Sequence, residues 1–72
     1  MERVYYVVET EYNEAESCEV STLAEARREL KRCLKYYQEN MSDGKPPCEL
    51  MIVKYTEVDE GKKIIQYGEV VK

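Results

Sequence analysis

The sequence contains no histidine, tryptophan or phenylalanine among its 72 residues. Without histidine, the side chain that most often serves as a general base near neutral pH is missing, and no serine or cysteine can be activated in the usual way. The three glycines are isolated, so the chain has no phosphate-binding glycine loop. The acidic residues do not have the spacing of a calcium loop. We therefore expect a protein that is not an enzyme, uses no cofactor and acts by binding.

Cysteines and long apolar runs are also scarce. Cys18, Cys33 and Cys48 are odd in number and form no CxxC motif, a pattern that is not typical of a disulfide framework or a zinc site. We expect three small, mostly buried thiols and no metal. The apolar run near the N-terminus, VYYVV, is shorter than a signal peptide or a membrane span requires. The expected protein is cytoplasmic and has no membrane partner.

The length of the chain limits its architecture to a single domain, residues 1–72. A chain of this size buries only about 60% of its surface on folding, so we expect a small core and no deep cleft. All seven aromatic residues are tyrosines. Tyrosine combines an apolar ring with a polar edge, which suits half-buried positions and interfaces.

The first half of the chain has the pattern of a β-hairpin followed by a helix. Residues 3–11 and 16–20 are predicted to form two strands, joined by a turn at Asn13, which tolerates left-handed geometry. Thr22 and Glu25 have the spacing of a capping box, which predicts a helix from residue 23 to residue 40. The apolar stripe of this helix is predicted to contain Leu23, Ala26, Leu30, Cys33, Leu34 and Tyr37.

The second half has the pattern of another hairpin, with strands at residues 48–58 and 62–71 and a turn that ends at Gly61. The predicted fold is α+β in the order β-β-α-β-β: an antiparallel four-stranded sheet with one helix packed on one face. Alternation places Val4, Tyr6 and Val8 towards the core and Tyr5 and Val7 on the opposite face. Because the last two strands are apolar on both alternations, we expect an exposed apolar and aromatic patch on that open face.

Negative charge is concentrated at the start of the chain. Residues 1–22 contain six glutamates and one arginine, whereas the whole chain has a net charge of −4. Alternation predicts that Glu9, Glu11 and Glu19 project away from the core, with Glu14 near the tip of the hairpin. Such a surface could occupy a site that normally binds nucleic-acid phosphates. It could equally keep a hairpin soluble and its edges unpaired.

Positive charge is concentrated on the predicted helix, on the side away from the apolar stripe. A basic helix face can bind phosphate, but the sequence pI of about 4.9 argues against a dedicated nucleic-acid binder. The stripe consists of Arg27, Arg28, Lys31, Arg32 and Lys35.

A hairpin that opens with VYYVVETEY, a helix that opens with STLAEAR and a terminal hairpin resemble the layout of small proteins from phages and mobile elements. Several anti-CRISPR proteins are similar in size, acidity and αβ architecture. The resemblance extends over the whole chain in layout and assigns no individual site residue. It implies stoichiometric binding that blocks or bridges a larger nucleic-acid-handling protein.

The leading hypothesis is therefore a small interaction module, an anti-CRISPR-like inhibitor that binds a larger host protein through the acidic hairpin and the open sheet face. The alternatives are a structural homodimer that packs through the exposed sheet face, and a nucleic-acid binder that uses the basic helix stripe. The predicted partner-binding residues of the leading hypothesis are Glu9, Glu11, Glu14, Glu19, Tyr5 and Tyr12.

Overall fold

The computed structural model describes residues 2–71. Its elements follow in the order β1 (Glu2–Thr10), α1 (Leu23–Asn40), β2 (Leu50–Glu60) and β3 (Lys63–Val71). The strands form one antiparallel sheet in the order β1-β2-β3, with β2 at the centre. In this part of the chain, no helix is long and apolar enough to cross a membrane.

The predicted four-stranded sheet is wrong, because the described residues form three strands in the order β-α-β-β. The predicted second strand, residues 16–20, belongs to a segment that lies along the outer edge of β1 but pairs with it only through two isolated bridges. These bridges join Tyr6 to Val20 and Glu9 to Ala15. Between them, β1 advances by three residues and the returning chain by five. The two extra residues produce a bulge that prevents a regular ladder.

A side chain occupies the position where the regular ladder would continue. The backbone N–H of Val8 donates to the hydroxyl of Ser17 at 3.0 Å, while the carbonyl of Val8 accepts from the N–H of Glu16 at 2.7 Å. Serine readily offers the backbone such an alternative partner. The outer edge of β1 is therefore hydrogen-bonded even though residues 16–20 are not a strand.

Helix α1 has the predicted bounds and the predicted N-cap. The N–H of Glu25 donates to the Thr22 hydroxyl at 3.2 Å, which satisfies one of the free donors of the first turn. The apolar stripe is confirmed at Ala26 and Cys33, which are buried. It is wrong at Leu34, which lies at the margin of this stripe and is 42% exposed.

The core lies between α1 and one end of the sheet. Val8, Ala26, Cys33 and Ile52 form its buried cluster, so the predicted inward face of β1 is confirmed for Val8. Tyr6 also packs against this cluster. Val4 lies on the same face but outside the cluster, and it is 38% exposed. The helix thus covers only part of one face, and the sheet extends beyond it in a molecule that measures 50 × 23 × 19 Å.

The second hairpin is confirmed, with strands shifted by one or two residues from the predicted bounds. Glu60 pairs with Lys63, which leaves Gly61 and Lys62 as the loop. Gly61 has a φ of 71°, a backbone conformation that glycine adopts without steric cost. The adjacent strands place Leu50 and Ile52 on the face towards α1.

Candidate interaction surface

The turn that follows β1 is organised by Thr10, a residue that is only 2% exposed. Its hydroxyl accepts from the N–H groups of Tyr12 and Glu14, each at 3.2 Å, and its backbone N–H donates to the carbonyl of Glu14 at 2.9 Å. Asn13 has a φ of 63°, so the predicted left-handed turn is confirmed. This network holds the backbone of the turn, and it directs Tyr12, which is 71% exposed, into solvent.

The start of β2 brings a further carboxylate to this turn. The N–H of Glu11 donates to the carbonyl of Glu49 at 3.0 Å, and the N–H of Glu49 donates to Oε1 of Glu11 at 3.3 Å. Glu11, Glu14 and Glu49 are all exposed. Within residues 2–71, no lysine or arginine forms an ion pair with any of the three. We name the group Glu11, Tyr12, Glu14 and Glu49 the acidic end.

The local field of the acidic end acts on a neighbouring thiol. Burial raises the pKa of Cys48, and the carboxylates of Glu11, Glu16 and Glu14 raise it further. Burial likewise raises the pKa of Cys33. A thiol with a raised pKa is a poor nucleophile at neutral pH, because the thiolate is the reactive form. The described chain thus holds these two thiols in their less reactive state.

Glu9 does not belong to this surface. It is 5% exposed, and its Oε2 accepts a hydrogen bond from the hydroxyl of Tyr55 on the neighbouring strand. The sequence prediction that Glu9 projects away from the helix is correct for the face, but the side chain is buried there. A buried carboxylate that satisfies an internal donor is not available to a partner.

Two more glutamates of the predicted acidic hairpin contact side chains from other elements of the fold. Glu19 pairs with Arg3, which also contacts Glu57 at 3.3 Å. Glu16 accepts from the hydroxyl of Tyr37 on α1 at 3.1 Å. The structure therefore divides the predicted acidic residues, leaving Glu11 and Glu14 in the acidic end and using the others to connect elements of the fold.

The open face of the sheet is less accessible than predicted. Tyr5 stacks on Tyr55 with a centroid distance of 5.3 Å, Arg3 lies 4.5 Å from the centre of the Tyr5 ring, and Tyr5 itself is only 8% exposed. Its hydroxyl accepts from the side-chain amide of Gln66. A Cβ on Gly68 would come within 3.1 Å of the Tyr55 ring, so glycine allows that ring to lie across β3. Tyr5 is therefore unavailable as a contact residue.

The basic stripe of α1 is exposed, as the helical pattern indicates. Arg32 is held by Glu29, with nitrogen-to-oxygen distances of 2.6 and 2.9 Å. This i,i+3 pair neutralises one of the five cations locally. The exposed Leu34 borders the basic stripe, beside Lys31 and Lys35.

The three cysteines have different environments. Cys33 is buried and Cys48 is half-buried, but Cys18 is exposed, so the expectation of burial is wrong for Cys18. Cys18 lies within the bulged segment beside β1, between the bridges at Ala15 and Val20, where no regular pairing turns its side chain inward. Among residues 2–71, no group of three histidine, cysteine, aspartate or glutamate side chains is arranged to hold a metal ion.

Sequence reasoning missed two features of the surface. It did not connect Glu49 with Glu11, because only the strand register shows that the residues flanking Thr10 and Leu50 are neighbours. It expected exposed apolar side chains on the last two strands, but it did not identify β3 as an edge strand. The exposed residues there are Ile64, Tyr67 and Val70.

Comparisons with protein-family models, with curated proteins and with solved structures find no match to this chain.

Proposed function

We propose that the protein is a non-enzymatic interaction module that binds a larger protein through the acidic end. The observation that carries this proposal is the combination of three exposed carboxylates that form no ion pair within residues 2–71 and a tyrosine that is 71% exposed. Like charges that lie close together repel, and a basic partner would relieve that repulsion. The exposed ring of Tyr12 would supply contact area of the kind enriched at interfaces.

The partner that fits this chemistry is a protein with a basic surface, such as a nucleic-acid-handling protein of the cytoplasm. An acidic surface can occupy a channel that otherwise holds phosphates, since both present closely spaced negative charge. Binding would then inhibit that protein stoichiometrically.

The test is capture of partners from a bacterial lysate, with mass spectrometry to identify them. The baits are the wild type and a Glu11→Gln/Glu14→Gln/Glu49→Gln variant. We expect the wild type to retain a protein with a basic surface, and the variant to lose it. Raising the salt from about 0.05 M to about 0.5 M shortens the screening length several-fold and should release the partner.

The matched control is Glu39→Gln/Asp59→Asn/Glu60→Gln, which removes the same charge from exposed positions elsewhere. If binding depends on where the negative charges lie and not only on the net charge, this control should retain the partner. Tyr12→Ala should weaken capture without changing the net charge. If the control and the acidic-end variant retain the same proteins equally, the acidic end is not a binding surface.

A further inference from the structure

Strand β3 forms the outer edge of the sheet on one side. In the order β1-β2-β3, the central strand β2 pairs on both sides, and β3 pairs only with β2. The outer edge of β1 is covered by the returning chain, which exchanges hydrogen bonds of 2.8 and 2.9 Å between Tyr6 and Val20. Helix α1 packs on β1 and β2. Among residues 2–71, nothing pairs with the outer edge of β3.

The sequence and regular pairing of β3 are typical of a strand that can pair with another chain through its free edge. Its nine residues, KIIQYGEVV, contain no proline, and each of them has a partner on β2 without a bulge. Ile64 is 71% exposed, Tyr67 59% and Val70 48%. Proteins usually protect an exposed edge with proline, bulges or inward charges, because an unprotected edge pairs with other chains. The two charged residues of β3, Lys63 and Glu69, lie close to its ends.

Lys63 and Glu69 lie opposite Glu60 and Lys54 of β2, and on the free edge their positions also match a second copy of the same strand. When two copies of β3 run antiparallel with Gln66 opposite Gln66, Lys63 of each copy lies opposite Glu69 of the other. In the same register, Ile65 lies opposite Tyr67. These four residues share the α1 side of the sheet, because side chains alternate and the four are separated by even numbers of residues. Opposite charges and aromatic–β-branched pairs are the favourable cross-strand combinations.

We propose that two copies of the chain associate through β3 in this register and join their sheets into one six-stranded antiparallel sheet. The pairing overlaps residues 63–69 of each copy and is symmetric, with both helices on the same face. Moving the register so that Tyr67 faces Tyr67 would place Glu69 opposite Ile65 and lose both ion pairs. This inference concerns a surface separate from the acidic end and does not rest on the proposed function.

An edge-to-edge dimer differs from the face-to-face dimer suggested by the sequence. On the open face, Tyr5, Val7 and Val53 are each 9% exposed or less, so packing two such faces would bury little additional surface from them. The exposed apolar side chains of this face, Ile64 and Val70, lie on the edge strand β3, and Tyr67 of β3 is exposed on the α1 side. The apolar surface available for association is thus at the edge.

The experiment is sedimentation equilibrium on the full chain and two charge-reversal variants, Lys63→Glu and Glu69→Lys. We expect a concentration-dependent dimer for the wild type. Each variant alone puts like charges opposite each other twice, which should raise the dimer dissociation constant about tenfold or more. An equimolar mixture of the two variants restores both opposite-charge pairs in the heterodimer, so it should dimerise again.

Glu39→Lys on α1 is the control for the charge change and should dimerise like the wild type. Hydrogen exchange of the wild type provides a measurement that needs no folded variant: amides of residues 64–68 should gain protection as the protein concentration rises. A wild type that remains monomeric, with exchange in β3 independent of concentration, overturns the proposal. Two variants that dimerise separately as well as they do when mixed also overturn it.

Discussion

Replacing Tyr55 with phenylalanine removes a single hydroxyl group from the sheet and leaves the ring in place. That hydroxyl donates to Oε2 of Glu9, which is 5% exposed. Within residues 2–71, every buried side-chain nitrogen or oxygen has a hydrogen-bond partner. The substitution Tyr55→Phe would leave the buried carboxylate of Glu9 without this donor.

The expected cost follows from the charge and the burial of Glu9. A hydrogen bond to a charged group contributes about 1.5–3 kcal/mol, and a buried partner left unsatisfied loses its solvation as well. We expect Tyr55→Phe to lower the free energy of unfolding by about 2–3 kcal/mol. A domain of this size has a total stability of only about 4–11 kcal/mol, so the melting temperature should fall by about 10–20 °C.

Urea denaturation followed by circular dichroism at pH 7 measures this change. Tyr67→Phe is the matched control, because Tyr67 is 59% exposed and its loss of a hydroxyl should change stability by less than about 0.5 kcal/mol. A second substitution, Glu9→Met, should recover part of the stability of Tyr55→Phe, since replacing both partners by apolar groups leaves no polar atom unsatisfied. If Tyr55→Phe is as stable as the control, the carboxylate of Glu9 does not depend on this donor.

Three further predictions test other parts of the fold. Burial and the Glu9 hydrogen bond raise the pKa of Tyr55 from 10.0 to about 12, so the folded state holds this proton more tightly than the unfolded state. The contribution of this raised pKa to the free energy of unfolding should be complete below the unfolded pKa and should be lost as the pH rises through the folded pKa. The stabilities of the wild type and Tyr55→Phe should therefore converge as the pH rises between these two values. Thr22→Ala removes the N-cap acceptor of α1 and should cost about 1 kcal/mol by urea denaturation, whereas an unchanged midpoint would mean that the cap is dispensable. Asn13 has a φ of 63°, so Asn13→Val should cost about 1–2 kcal/mol while Asn13→Gly should be tolerated; equal melting temperatures for the two variants would contradict this turn geometry.

The sequence predicted the concentration of acidic residues in this region, but it did not predict which of their side chains are free at the surface. Five glutamates within residues 9–19 are visible in the sequence, and two of them, Glu11 and Glu14, do form part of the exposed surface. Glu9, Glu16 and Glu19 contact Tyr55, Tyr37 and Arg3 instead. Local alternation predicts only the face of the strand on which a side chain lies. It does not predict which donor from another element will contact that side chain.

The amino-acid sequence by itself determined the features that depend on neighbouring residues. The bounds of α1, its Thr22 cap, the turn at Asn13 and the hairpin around Gly61 were predicted correctly, because capping, helical periodicity and positive φ act within a few residues. The inward face of β1 at Tyr6 and Val8 was also predictable from period-two alternation.

Only the tertiary structure decided the features that depend on strand register. Two extra residues opposite β1 and the hydroxyl of Ser17 turned a predicted strand into a bulged segment, so the sheet has three strands instead of four. The pairing of β1 with β2 brought Tyr55 to Glu9 and Glu49 to Glu11. The strand order then left β3 at the edge. Register and order arise from contacts between residues far apart in sequence, and no local pattern specifies them.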